Sequence, residues 1–151
     1  LSECGLTDVG FLNGFINLQE LDLSWNNLSD ITSLPELKHL TKLDLSYNFI
    51  SEIQVLSSYT ELTELSLRGN DIEVLTKVKG HPETVEPEET TEQPGQSVFE
   101  ELSKLARLNL SYNMLTDVSE LAVLTTLEYL NLEENRITDF SAVEFVPELI
   151  R

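Results

Sequence analysis

Apolar and polar residues alternate along this chain in a pattern that returns about every 22 residues. Its clearest copy is the stretch from Leu40 to Ile50, which reads L-x-x-L-x-L-x-x-N-x-I. Two leucines one residue apart, Leu43 and Leu45, indicate a short β-strand, because alternate side chains of a strand point to the same face. The pattern therefore predicts one strand per repeat. The leucines that open the copies are Leu18, Leu40, Leu62, Leu105, Leu127 and Leu149.

Behind each strand, apolar residues three positions apart predict a returning segment of short helices or 3₁₀ turns. We expect such segments at residues 32–39, 119–126 and 141–148, with Ser119 and Ser141 as N-caps. One unit cannot bury its own apolar face, whereas units stacked in register can. The sequence thus predicts a stack of units, with strands on one face and turns on the other.

The repeats divide the chain into one domain of stacked units. The predicted boundaries are a partial repeat at residues 1–17 and repeats at 18–39, 40–61, 62–104, 105–126 and 127–148. Leu1 falls inside a repeat and Leu149 opens another one, so we expect the chain to be an excerpt of a longer array, or its ends to be covered by partners.

The third repeat is interrupted, since the step from Leu62 to Leu105 is 43 residues. Residues from about 77 to 97 contain three prolines and five glutamates but few apolar side chains. Such a composition cannot bury enough surface to offset the entropy of ordering, so it predicts a flexible acidic insertion. A degenerate extra repeat is the alternative, because 43 residues are close to two periods.

The asparagine that ends each strand predicts a structural ladder. A buried amide can satisfy backbone groups where the chain leaves a strand. Cys4 occupies the same column, and we expect it to be a buried ladder member rather than a metal ligand or a reactive thiol. The predicted ladder is Cys4, Asn26, Asn48, Asn70, Asn113 and Asn135.

The repeated pattern and its 22-residue step resemble the leucine-rich repeat family. The matching class includes the leucine-rich-repeat regulatory subunit of protein phosphatase 1 and the bacterial internalins. The resemblance implies an α/β repeat solenoid, a curved right-handed superhelix with a parallel sheet on the concave face and short helices or 3₁₀ turns on the convex face. It also implies a protein–protein interaction module, and it suggests inner-face contacts at Asp22, Trp25, Asp44, Tyr47 and Tyr112.

Residues between and just after the strand leucines are not needed for the core, so they are candidates for binding. Three of the nine basic residues fall there, and the aromatic residues Trp25, Tyr47 and Tyr112 share one column, where Tyr and Trp make good contact anchors. An alternative is that this aromatic column only shields the asparagines. The predicted partner-binding residues are Asp22, Trp25, Lys42, Asp44, Tyr47, Arg68, Arg107, Tyr112 and Tyr129.

Composition excludes several functions. A formal charge of −18 argues against a nucleic-acid or anionic-membrane binder. No apolar run is long enough to predict a membrane span. The two histidines, His39 and His81, form no recognisable triad, and no phosphate loop or metal-ligand cluster is present. We therefore predict no catalytic residues, no cofactor, no metal and no small-molecule substrate.

A single cysteine excludes an internal disulfide framework and favours a cytoplasmic protein, with the bacterial cell surface as the alternative. Three hypotheses follow. The first is a non-catalytic scaffold or regulatory subunit that binds a protein partner on its concave face. The second is an internalin-like bacterial adhesin. The third is the targeting arm of an enzyme whose catalytic domain lies outside this chain.

Overall fold

The computed structural model describes residues 1–75 and 97–151. The expected acidic insertion at about 77–97, the alternative of an extra repeat there, and His81 all lie outside the described residues, apart from Ser97, which is buried.

Short parallel strands form one six-stranded sheet, and their order in the sheet is their order in the sequence. Equivalent residues of successive repeats are in register, so that Leu21 pairs with Leu43 and Leu65 pairs with Leu108 across the longer step. The predicted repeat solenoid with a parallel sheet is confirmed. The strands are β1 (Glu20–Asp22), β2 (Lys42–Asp44), β3 (Glu64–Ser66), β4 (Arg107–Asn109), β5 (Tyr129–Asn131) and β6 (Glu148–Ile150).

The core lies between the sheet and the returning segments, and the leucines of the repeat fill it. Leu43 and Leu45 are both buried, with exposures of 2% and 0%. Each leucine buried in this way contributes about 1.5–3 kcal/mol relative to an exposed one. Phe99 and Leu102 are also buried, and they restore the apolar pattern where the chain re-enters the described region.

The convex face carries 3₁₀ helices rather than α-helices throughout the described residues. These are Gly10–Leu12, Gln54–Ser58, Ser119–Val123 and Ser141–Val143. The segment at residues 32–39 forms turns without a helix. A 3₁₀ turn needs few residues, which suits a return path that must close within a 22-residue repeat.

The prediction that Ser119 and Ser141 are N-caps is wrong. Both are the first residue of their helix, and no side chain caps either helix from the preceding position. Instead the carboxylates of Asp117 and Asp139 accept the backbone N–H two residues later, at 2.8 and 2.9 Å. An aspartate can form this local turn by itself, so the serine hydroxyls are not required for it.

The asparagines after the strands hold successive turns together. The Asn48 Nδ2 donates to the carbonyls of Leu45 in its own turn and Leu23 in the preceding turn, both at 3.0 Å. Its Oδ1 accepts from the N–H of Leu28, also in the preceding turn, at 3.1 Å. The same bonds recur at Asn26, Asn70, Asn113 and Asn135.

Cys4 departs from its expected place in the ladder, because its side chain is exposed. Its thiol donates to the Ser2 carbonyl at 3.3 Å, and its backbone N–H donates to the Asn26 amide oxygen at 3.1 Å. Cys4 therefore takes part through its backbone alone.

Candidate functional site

The strand face forms a shallow depression of about 470 Å³ that extends from β1 to β5. Two columns of side chains make its floor, one from the first residue of each strand and one from the last. We call them the first and last strand columns. The residue immediately before each ladder asparagine forms a third column, which we call the rim column and which does not line the depression. Its members are Trp25, Tyr47, Gly69, Tyr112 and Glu134.

In the first strand column, Lys42 lies between two glutamates. Its Nζ is 3.2 Å from Glu64 and 3.6 Å from Glu20. Hydrogen bonding to Glu64, with the charges of both glutamates, raises the lysine pKa above its ordinary value. Lys42 was predicted from the sequence as a partner contact, whereas its two glutamate neighbours were not. Their position in the same column of successive repeats is the signal that could have identified them.

In the last strand column, every aspartate or asparagine side chain accepts the same local hydrogen bond from the backbone. Asp22 and Asp44 accept the N–H two residues later at 2.9 and 2.8 Å, and Asn109 and Asn131 accept the equivalent N–H at 3.0 and 2.9 Å. The Ser24 hydroxyl also donates to Asp22 at 2.6 Å and lowers the pKa of that carboxyl. A carboxylate and an amide oxygen thus serve equally well as the acceptor for this backbone N–H.

The rim column has left-handed backbone geometry. Trp25, Tyr47 and Tyr112 have φ values of 57°, 54° and 57°, and Gly69 has the same conformation at 65°. A side chain in this region costs about 1–2 kcal/mol. The conformation is fixed because each N–H donates to a carbonyl of the next turn, as Trp25 does to Ser46 at 2.9 Å and Tyr47 does to Arg68 at 2.7 Å.

Side chains on the rim contact one another in a continuous series. The rings of Trp25 and Tyr47 stack at 3.9 Å with an angle of 19° between their planes. The Arg68 Nε donates to the Tyr47 hydroxyl at 2.6 Å, and its guanidinium lies 4.6 Å from the centre of the Tyr112 ring. We call these four residues the aromatic edge. Its two ends are open to solvent, with Trp25 56% and Tyr112 44% exposed.

A second cation–π pair lies on the floor, where the Arg107 guanidinium is 4.3 Å from the centre of the Tyr129 ring. In the structure the nine residues predicted as partner contacts fall into two groups. The aromatic edge unites Trp25, Tyr47, Arg68 and Tyr112. The floor of the depression holds Asp22, Lys42, Asp44, Arg107 and Tyr129.

Residues 1–75 and 97–151 contain neither a cluster of metal ligands nor a membrane-spanning helix. Within these ranges no three His, Cys, Asp or Glu side chains converge as a metal site would require. The helices described there are also too short and too polar to cross a membrane. His39 is exposed on a turn of the convex side.

Sequence comparisons match three separate segments of the chain to leucine-rich repeats. Residues 93–137 match "Leucine rich repeat", residues 38–77 match "Leucine Rich repeats (2 copies)", and residues 16–31 match "Leucine Rich repeat". No protein of curated function matches the chain significantly.

Solved structures give the same result over nearly the whole chain. Two internalins of Listeria monocytogenes, inlF and inlC2, are 25% and 26% identical to it, with TM-scores of 0.78 and 0.76. Each comparison covers 99% of this chain, but only 38% of inlF and 58% of inlC2. A leucine-rich repeat protein of Leptospira interrogans shares the fold at 22% identity and a TM-score of 0.71, over 95% of this chain and 36% of that one.

The chain therefore spans less than two thirds of the length of these structures. Its 22-residue step, its parallel sheet and its asparagine ladder agree with both kinds of comparison. This chain belongs to the leucine-rich repeat family.

Proposed function

We propose that this chain is a protein-binding module that holds its partner on the strand face, with the aromatic edge as the principal contact. The observation that supports the proposal is the combination of exposure and order in that edge. Trp25 and Tyr112 are about half exposed, yet the side chains between them are joined by ring stacking, a hydrogen bond and a cation–π contact.

Order before binding strengthens an interaction, because immobilising a flexible side chain at an interface costs roughly 0.5–1.5 kcal/mol. Arg68 is normally a flexible residue, but here its guanidinium is held between the rings of Tyr47 and Tyr112. Tyr, Trp and Arg are also the residues most enriched among those that dominate binding energy. The aromatic edge combines both properties.

Leucine-rich repeat domains generally serve as non-catalytic interaction modules, and the role that we propose for this chain is that of a scaffold or regulatory subunit in the cytoplasm. A bacterial cell-surface adhesin is the second candidate, and the similarity to two internalins favours it. We propose the same face for both roles, so the test below applies to either. A targeting arm for an enzyme domain elsewhere in a longer protein would use this face as well.

The test compares variants of the aromatic edge with a variant of the opposite face. Partners are captured with the native protein and their affinity is then measured for Trp25→Ala, Arg68→Ala and Tyr112→Ala. Each should weaken binding by about 2 kcal/mol, or roughly thirtyfold, if the residue is a hot spot. Glu36→Ala is the control, because Glu36 is exposed on the convex side and pairs only loosely with Lys38 at 3.5 Å.

Circular dichroism must first show that each variant is folded, since the edge lies beside the asparagine ladder. Unchanged affinity in all three folded edge variants would place the partner elsewhere and overturn the proposal. In that case the aromatic column would serve only to shield the ladder.

A further inference from the structure

Charge is unevenly distributed over the floor of the strand face. Strands β1 to β3 contribute the carboxylates of Glu20, Asp22, Asp44 and Glu64 and a single cation, Lys42, which leaves three negative charges in excess. The lining residues of β4 and β5 include the Arg107 guanidinium and no carboxylate. The depression therefore has an acidic end and a basic end. Glu133 and Glu134 after β5 and Glu148 in β6 are exposed, but none of them lines the depression.

Folding does not require this separation of charge. Asp22 and Asp44 use one oxygen to accept a backbone N–H, and Asn109 and Asn131 accept the equivalent N–H at nearly the same distance. An asparagine would therefore suffice for the backbone at all four positions. The carboxylates at β1 and β2 add a charge that the turn does not need.

Lys42 does not cancel the acidic end, because its single charge is shared between two glutamates. At the other end, Arg107 is held against Tyr129, so its position is fixed before any partner arrives. Fixed charges of opposite sign at the two ends of one face favour a single orientation of a bound partner.

We infer that the partner lays a segment of mixed charge across the strands, with arginine or lysine side chains over β1 and β2 and an aspartate or glutamate opposite Arg107. The inference rests on the proposed function, since it concerns the same face. A uniformly basic segment would place like charges against Arg107, and a uniformly acidic one would place them against Asp22 and Asp44. Like charges brought together at an interface are strongly unfavourable.

A suitable probe is a library of random peptides displayed on phage and selected on the purified 151-residue chain. Peptides of roughly 12 residues suffice, because β1 and β5 are about 19 Å apart at the usual strand spacing and an extended residue spans about 3.3 Å. The selected peptides are synthesised, and their affinities are measured at low and high salt. We expect their basic and acidic residues to lie in separate halves.

The decisive variant is Asp22→Asn with Asp44→Asn, which removes two charges and keeps the backbone acceptors. We expect it to bind the selected peptides about tenfold more weakly at low salt, with most of the difference lost near 1 M salt, where charges are screened within about 3 Å. The matched control is Asp30→Asn with Asp139→Asn. These aspartates accept a backbone N–H in the same way on the convex side, so the control loses the same net charge.

Arg107→Gln should likewise weaken binding, and replacing the acidic residues of a peptide by glutamine should then have little further effect. Equal weakening by the two double variants, or none by either, would overturn the inference. If the peptides still require Trp25 and Tyr112 in that case, the proposed function stands without the charge pattern. If no peptide requires the aromatic edge, both proposals fail.

Discussion

Tyr47 and Asn48 are neighbours in the sequence, but they belong to columns with opposite uses. Asn48 is 95% buried, and each polar atom of its side chain is bonded to the backbone of its own turn or the preceding one. Tyr47 points out of the same turn, and its ring contacts other side chains of the rim. The asparagine ladder, which stabilises the fold, and the rim column, whose side chains are available for binding, are therefore only one residue apart in the sequence.

The backbone explains this division. The left-handed conformation at Tyr47 directs its side chain away from the stack, and the next residue then faces inward. The conformation is the same at Trp25, Gly69 and Tyr112, whatever the residue type. The column, rather than the chemistry of a residue, therefore determines whether its side chain is structural. Substitutions in the two columns should separate stability from binding.

The largest effect is expected for Asn48→Ala. The change leaves the Leu28 N–H unpaired, and a buried group left unpaired costs about 1–3 kcal/mol. It also removes the Asn48 hydrogen bonds to the Leu23 and Leu45 carbonyls, which keep Asn26 and Asn70 as donors, and each lost bond costs about 1 kcal/mol. We expect the free energy of unfolding in urea to fall by about 3 kcal/mol or more. Lys38→Ala, an exposed control, should stay within about 0.5 kcal/mol. Equal values for the two variants would contradict the ladder's structural role.

A smaller loss is expected for Gly69→Ala, which tests how tightly the rim is packed. A Cβ at Gly69 would lie 2.7 Å from Cδ1 of the Tyr47 ring, and the left-handed φ would add strain. Together these should lower the free energy of unfolding by about 1–3 kcal/mol. In a Tyr47→Ala background the loss of stability caused by the steric clash should vanish. Only the loss caused by the left-handed backbone conformation should remain. A cost that is the same in both backgrounds would show that the ring can move aside freely.

Tyr59 extends the comparison to a tyrosine that faces inward. It is 2% exposed, and its hydroxyl donates to the Pro35 carbonyl at 2.7 Å. Tyr59→Phe should cost about 1 kcal/mol, the usual value of one hydrogen bond. The three tyrosines on the strand face donate no such bond to the core.

The pH dependence of Tyr59 gives a second measurement. Burial, with a smaller effect of Glu36, raises the pKa of Tyr59 to about 12, whereas an unfolded tyrosine titrates near 10. The protonated form is favoured by folding, so its contribution to stability is complete below pH 10 and is lost between pH 10 and about 12. The wild-type chain should lose stability over that interval more steeply than Tyr59→Phe. Parallel curves would show that the hydroxyl is not buried in solution.

The smallest effect on stability is expected for Trp25→Ala. Its ring is mostly exposed, and its main internal contact is the stack with Tyr47, which is worth about 0.5–1.5 kcal/mol. Thermal and urea unfolding should therefore show a loss of about 1 kcal/mol or less, while the binding measurement shows a larger one. A loss as large as that of Asn48→Ala would show that the rim also holds the fold.

The sequence was sufficient to predict the sheet, its register and the asparagine bonds, because a fixed 22-residue step fixes which residues are stacked. It also assigned Trp25 and Tyr47 correctly to one column. It could not show that Lys42 is shared by two glutamates, or that the Tyr47 ring lies over Gly69. These contacts depend on side-chain rotamers between turns, which the repeat pattern does not determine. The column also predicted a buried Cys4, whereas its side chain is exposed.

The asparagine bonds also have a direction along the chain. Leu28 and Ile50 each direct an N–H to the asparagine of the following turn, 20 residues later. At a synthesis rate of about 5–20 residues per second, the acceptor of such an amide is synthesised roughly 1–4 s after the amide itself. Ile72 must wait for Asn113, which is 41 residues away, so its delay is about twice as long. We therefore expect the asparagine bonds of each turn to form only after the next turn has been synthesised. The longest delay should fall between the third and fourth strands.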